Sequence, residues 1–155
     1  MVLTPENAPR LSPIFEGKRG KFLLNLGLKL TGNDHVNEIH QWVEDQHVPA
    51  GPEFATKLLE GLGVDFRIGH AERLSSLPEG PFIVIANHVY GHLDGICLVD
   101  LLGHVRPKVK VMVNEFLMWI HGLAPSFISV NPVTNASNGT TATSINGVQH
   151  ALMQL

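Results

Sequence analysis

The chain has 155 residues, of which 16% are charged and 44% belong to the AVILMFWYC set. That balance excludes a disordered chain and supplies enough apolar side chains for one domain's core. A formal net charge of -3 argues against nucleic acid as a partner, and the single cysteine, Cys97, excludes an intrachain disulfide framework. The opening MVLTPENAPR lacks the basic-then-apolar layout of a secretory signal. No apolar run approaches the ~20 residues that span a bilayer. The expectation is a cytoplasmic protein, peripheral to the inner face of the cell membrane rather than inserted in it.

Residues 1–17 carry Pro5, Pro9, Pro13 and Gly17 and read as an extended lead-in. From Lys18 to Leu30, Lys18, Arg19, Lys21 and Lys29 flank a leucine- and phenylalanine-rich stretch. This pattern fits a short helix lying on a membrane surface, or a core helix with a solvated basic end. Asn33 or Asp34 can cap a helix reaching about Gln46, with Val36, Ile39 and Val43 on one face. A further helix runs from Pro52, where a first-turn proline is tolerated, to Gly61.

Beyond it the period changes. Val64–Ile68 alternates like a strand with one wet face, and Phe82–Ala86 is continuously apolar, as a strand buried on both faces would be. Ile96–Leu102 reads as a buried helix, Val109–Val113 as a strand, Glu115–Gly122 as a helix, Phe127–Val130 as a strand and Thr140–Leu155 as a helix. The resulting fold class is α/β. N-terminal helices over 1–63 precede βα units over 64–155, which form a mostly parallel sheet covered by helices. Ligands of such sheets bind beyond the carboxyl ends of the strands, so the residues after Ala86 have the strongest positional claim on chemistry. Arg106, Lys108 and Lys110 form a small basic group before the second core strand. It suits an acidic partner, or simply a solvated strand start.

The segment after Ala86 reads Asn87-His88-Val89-Tyr90-Gly91-His92-Leu93-Asp94-Gly95. His88 falls at a strand end and Asp94 near a helix start. A carboxylate that accepts one ring N–H fixes the histidine tautomer, and the other ring nitrogen can then take a proton from a hydroxyl. No G-x-S-x-G run is present and Cys97 lies in an apolar helix, so the pattern suggests direct attack by a substrate hydroxyl. Two alternatives stay open. In one, His88 caps a turn and Asp94 is an ordinary acid at a helix start. A metal-dependent hydrolase would instead use His88, His92 and Asp94, because the two histidines have i, i+4 spacing.

Residues Pro81–Pro132 resemble the glycerolipid and lysophospholipid acyltransferase superfamily, whose signature is Asn-His followed closely by Leu-Asp; here Asn87-His88 and Leu93-Asp94-Gly95 match. The similarity is greatest to the hemolysin-like branch that O-acylates ornithine or glycine lipids, with its run N-H-P-x-G-G-L-D-G. Val89 replaces the proline and His92 a glycine. The resemblance implies His88 as base and Asp94 as its orienting partner. It also implies Asn87, Tyr90, Gly91, Gly95, Asn114, Glu115 and Asn131 about the substrate. The donor would be an acyl thioester on acyl carrier protein or CoA, the acceptor a lyso-lipid or amino-acid lipid, and no further cofactor would be needed. Phosphatidate-forming members end the second block in an arginine that holds a phosphate. Asn131-Pro132 stands there instead, which points away from a glycerol-phosphate acceptor. The family's third block, an F-P-x-G strand and turn, is expected after Leu155. Its absence implies an incomplete sheet or an inactive acyltransferase-like fragment that binds lipid or a partner.

Overall fold

A computed structural model describes residue 18 and residues 33–106, 108–130 and 142–154. The rest of the basic-apolar stretch at 19–30, the polar loop at 131–141 and Asn131 lie outside the described residues. The chain divides into two compact units, Met1–Val48 and Pro49–Leu155, which groups the Pro52 helix with the α/β part.

In the first unit, helix α1 spans Asn33–Asp45 and buries Ile39, His40 and Val43. Their i, i+4 spacing puts one apolar stripe on the helix. His40 is kept there with its Nε2 3.5 Å from the Glu44 carboxylate, one turn on.

The second unit holds helix α2 (Pro52–Gly61), helix α3 (His92–Gly103), strand β1 (Val111–Asn114), strand β2 (Phe127–Val130) and helix α4 (Ala142–Met153). The two strands are parallel, with Val111 opposite Phe127 and Asn114 opposite Val130. A parallel pair needs a crossover. Here it is made by the 3₁₀ turns Glu115–Trp119 and Ala124–Ser126. The α/β class with parallel pairing therefore holds, and the core gathers Phe54, Leu58, Leu59, Ile96, Val99, Leu102, Val113, Leu117, Leu123, Phe127 and Ile128.

Close approaches set the packing. Pro52 opens α2 without an N–H to satisfy, and Gly51 before it takes φ 102°, a backbone state that favours glycine. The Gly51 N–H donates to Gly122 O at 2.8 Å and ties α2 to the loop before β2. A β-carbon at Gly122 would enter the Phe54 ring, and one at Gly103 would come within 3.2 Å of Pro52 Cβ. At Gly147 it would lie 2.8 Å from the Ser129 carbonyl oxygen, so α4 rests directly on β2. Asp100, which looks in the sequence like the wet edge of its helix, instead accepts the Thr56 hydroxyl at 2.5 Å and links α2 to α3.

Three expectations are corrected. Val64–Ile68 is not a strand: Val64 and Phe66 are half-buried and Asp65 and Arg67 exposed, so the alternation survives without a ladder. Phe82–Ala86 is not a buried strand: it joins no ladder, and Ile83 and Ile85 are 70% and 93% exposed. An apolar run states that a segment gains by burial, but a strand also needs a neighbour with free backbone groups. The sheet of described residues contains β1 and β2 alone. Finally, Glu115–Gly122 is a 3₁₀ turn as far as Trp119, then a loop.

The basic group is used structurally. The Arg106 guanidinium donates to the carbonyls of Leu77 and Pro78, both at 3.1 Å, and Lys110 Nζ donates to the Pro125 carbonyl. Lys108 is exposed. Arg106 thereby fixes the entry to the apolar run that leads to His88.

Candidate active site

Helix α3 begins earlier than its apolar stretch suggests, at His92, inside the segment that carries the chemistry. Gly91 precedes it with φ 62°, turning the chain sharply into the helix. Asp94 lies in the first turn, where the positive end of the helix dipole favours a carboxylate. Its backbone N–H donates to Gly91 O at 3.2 Å, and its Oδ2 accepts the Tyr90 N–H at 2.9 Å. The same Oδ2 lies 3.2 Å from Nδ1 of His88. The seven residues from His88 to Asp94 thus form a loop closed around one carboxylate oxygen.

The two partners differ in exposure. Asp94's side chain is 23% exposed and His88's 71%. A partly buried acid anchored by a backbone N–H can orient a ring that reaches into solvent. With Nδ1 facing the carboxylate, Nε2 is left for another group, the arrangement that suits a base acting on an external hydroxyl.

The other expected site residues divide. Asn87 is exposed beside His88, and Tyr90 contributes its backbone to Asp94 while its side chain stays 75% exposed. Gly91 makes the turn. Gly95, expected at the substrate, is buried against the sheet: a β-carbon there would meet Val111 and Val113 methyl groups at 3.8 and 3.9 Å. Its function is to let the first turn of α3 approach β1. That contact seats the first turn of α3 on β1, whose last residue is Asn114, half-buried, with Glu115 exposed next to it. Nothing printed in the sequence distinguishes Gly95 as a packing residue from Gly91 as a turn residue; only the contact partner does.

His92 opens α3 and is exposed as a residue, with its ring partly covered. Burial, and secondarily the neighbouring His88, hold its imidazole pKa below the ordinary histidine value. His88, His92 and Asp94 do not gather as a ligand set: among the described residues no three His, Cys, Asp or Glu side chains are placed to hold a metal ion. The metal-hydrolase alternative therefore has no ligand geometry behind it. Cys97, one turn into α3, has its thiol pKa raised by burial and by the carboxylates of Asp100 and Asp94, which disfavours it as a nucleophile. Among the described residues no helix is long and apolar enough to cross a membrane.

Two curated proteins are similar to this chain, both named lyso-glycine lipid O-acyltransferase. The one from Phocaeicola vulgatus is 33% identical over 105 residues, covering 66% of this chain and 37% of its own. The one from Bacteroides thetaiotaomicron is 33% identical over 98 residues, covering 63% and 35%. The chain thus spans little more than a third of the length of these relatives. No solved structure matches it significantly. The family model described as acyltransferase matches residues 11–146, from the lead-in through both strands and into α4. With the Asn87-His88 and Leu93-Asp94 blocks inside that match and paired in space, the chain belongs to the acyltransferase family.

Proposed function

We propose that this site transfers a fatty acyl group from an acyl thioester, carried on acyl carrier protein or CoA, to the hydroxyl of a lyso-lipid of the amino-acid-lipid class. The observation that carries the reading is the 3.2 Å approach of His88 Nδ1 to Asp94 Oδ2, with the rest of the imidazole facing out. The relatives' names supply the acceptor class.

The contact between His88 and Asp94 supports the following steps. Asp94 holds His88 with Nδ1–H toward it, so Nε2 takes the proton as the acceptor oxygen attacks the thioester carbonyl carbon. Asp94 stabilises the resulting imidazolium without taking its proton. The start of α3 offers a positive dipole end to the carbonyl oxygen as it gains charge. Collapse of the intermediate breaks the C–S bond, and the thiolate leaves with the proton from His88. Membrane contact completes the proposal. The basic-apolar stretch that begins at Lys18 would rest on the cytoplasmic face of the membrane, where the acceptor resides.

The test is acyl transfer from palmitoyl-CoA to a lyso-glycine lipid. His88→Ala should abolish transfer while circular dichroism stays unchanged, because His88 lies at an exposed chain position. Wild-type turnover in that variant would remove the mechanism. Vesicle binding that weakens with salt and with Lys18→Gln, Arg19→Gln and Lys21→Gln together tests the membrane contact.

A further inference from the structure

We propose that Phe82–Ala86 is a strap that closes onto the open edge of β1 when the acyl chain of the donor binds. The strap rests on the acyl-transfer reading above and deepens it, by coupling substrate binding to the formation of a third strand.

Contacts at both ends of α3 place the strap. At the far end, the Arg106 N–H donates to Leu102 O at 2.7 Å, and the Arg106 guanidinium donates to the carbonyls of Leu77 and Pro78, both at 3.1 Å. The chain entering the strap is thereby pinned to the last turn of α3. At the near end, Asp94 in the first turn accepts the Tyr90 N–H at 2.9 Å and stands 3.2 Å from His88, which pins the chain leaving the strap. Phe82–Ala86 therefore runs along α3 from its end to its start. β1 does the same: it follows Arg106, and Val111 and Val113 lie against Gly95 near the start of α3. Two extended segments that run one way along the helix connecting them have the layout of a parallel crossover unit, whose strands lie side by side. The lengths agree as well. The 12 residues of α3 rise about 18 Å, and five extended residues span about 17 Å.

Both segments have backbone groups to spare. Among the described residues β1 pairs with β2 alone, on one edge. Phe82–Ala86 joins no ladder, and none of the turn and loop backbone hydrogen bonds involves it. The side chains show what holds the strap open. Phe82 and Val84 are less exposed than Ile83 and Ile85, the alternation of a strand with one inner and one outer face. In β1, Val111 and Val113 face Gly95, so Met112 between them, 47% exposed, faces away from α3. Closing the strap brings Ile83 and Ile85 beside Met112 in one apolar surface. With no ligand that surface stays in water, and closing orders five residues for backbone bonds that water already supplies. An acyl chain laid along the surface is covered by it only in the closed form, and that difference in affinity shifts the strap. The surface leads to His88 at the carboxyl end of the strap, where ligands of parallel sheets bind and where the thioester must lie.

The experiment follows amide exchange of the full chain by mass spectrometry, alone, with CoA, and with palmitoyl-CoA below its micellar concentration. Acyl transfer from palmitoyl-CoA to a lyso-glycine lipid is measured beside it for the wild type and His88→Gln. Exchange at Phe82–Ala86 should be fast in the free chain and with CoA. With palmitoyl-CoA it should slow about tenfold or more, as the open form falls to ~10% or less. Successive N–H groups of a strand point to opposite edges, so one of Ile83→Pro and Val84→Pro must remove a ladder donor. At least one of them should lose both the protection and most of the transfer. Neither should lower the melting temperature of the free chain, in which the strap is unpaired. Slow exchange without ligand, equal exchange with CoA and palmitoyl-CoA, or full protection in both proline variants overturns the strap. If His88→Gln abolishes transfer in that case, the acyl-transfer reading stands without it. A wild-type chain that neither binds palmitoyl-CoA nor transfers from it removes that reading and the strap together.

Discussion

Asp94 makes two contacts with one oxygen, and replacing it in two ways separates them. Asp94→Asn keeps an acceptor for the Tyr90 N–H but removes the charge facing His88; Asp94→Ala removes both. The hydrogen bond contributes about 0.5–1.5 kcal/mol. A carboxylate in a first helical turn adds about 0.3–1 kcal/mol, and its contact with a 71% exposed histidine adds ~0–1 kcal/mol. Asp94→Ala should therefore destabilise the chain by about 1–3.5 kcal/mol, and at ~2–4 °C per kcal/mol for a domain of this size the melting temperature should fall by roughly 2–14 °C. Asp94→Asn should lose less than half of that. Catalysis should respond in the other order of severity relative to stability. The amide can present the wrong group to Nδ1, and a comparable exchange in a hydrolase triad costs ~10⁴ in kcat. Because His88 is exposed, water can partly take over the orienting contact, so a loss of roughly 10²–10³ is expected here. Thermal denaturation followed by circular dichroism gives the first number and acyl transfer the second. An Asp94→Asn variant with wild-type turnover would refute the orienting role. Equal melting points for the two variants would refute the assignment of the Tyr90 bond.

Gly122→Ala should overpack the contact with the buried Phe54 ring and cost about 1–3 kcal/mol, read as a lower denaturant midpoint at unchanged slope. Cys97 should react with iodoacetamide at pH 8 more slowly than a free cysteine, since burial, Asp100 and Asp94 all raise its thiol pKa; Asp100→Asn should speed the reaction. Amide protons of Phe82–Ala86 should exchange quickly, because the run is in no ladder, while those of Ile96–Leu102 should be protected; slow exchange at Ile83–Ile85 would show that the run pairs in solution.

What could be read from the sequence was what is local. The loop from Asn87 to Gly95 is closed by contacts no more than six residues apart, so spacing and residue type sufficed to bring His88 toward Asp94. Helix α2 was bounded by Pro52 and Gly61, and β2 by its β-branched run, for equally local reasons. The readings that changed all depend on partners far along the chain. Thr56 and Asp100 are 44 positions apart, and no periodicity assigns a half-polar helix position to a particular hydroxyl. Arg106 reaches back 29 positions to Leu77, and that contact, rather than charge alone, decides what the basic group does. Phe82–Ala86 shows the same limit from the other side: its composition asks for burial, but composition does not supply a strand edge.

The division between partly buried acid and exposed base bears on how the proposed reaction would distinguish a lipid hydroxyl from water. His88 at 71% exposure is open to solvent, and a base that can activate a hydroxyl can equally activate water. Among the described residues nothing walls it off, and Asn87, Val89 and Tyr90 around it are exposed as well. On the proposed function, discrimination comes from the bound substrates. An acyl chain or acceptor tail laid over Val89, Tyr90, Ile83 and Ile85 would expel water and cover apolar surface in one step. In the dry environment so formed, the Asp94 charge and the start of α3 act on the intermediate with little screening. On the proposed acyl-transfer reading, the exposed apolar residues beside His88 have a reason to be next to the chemistry: an apolar substrate would turn an exposed imidazole into a selective base.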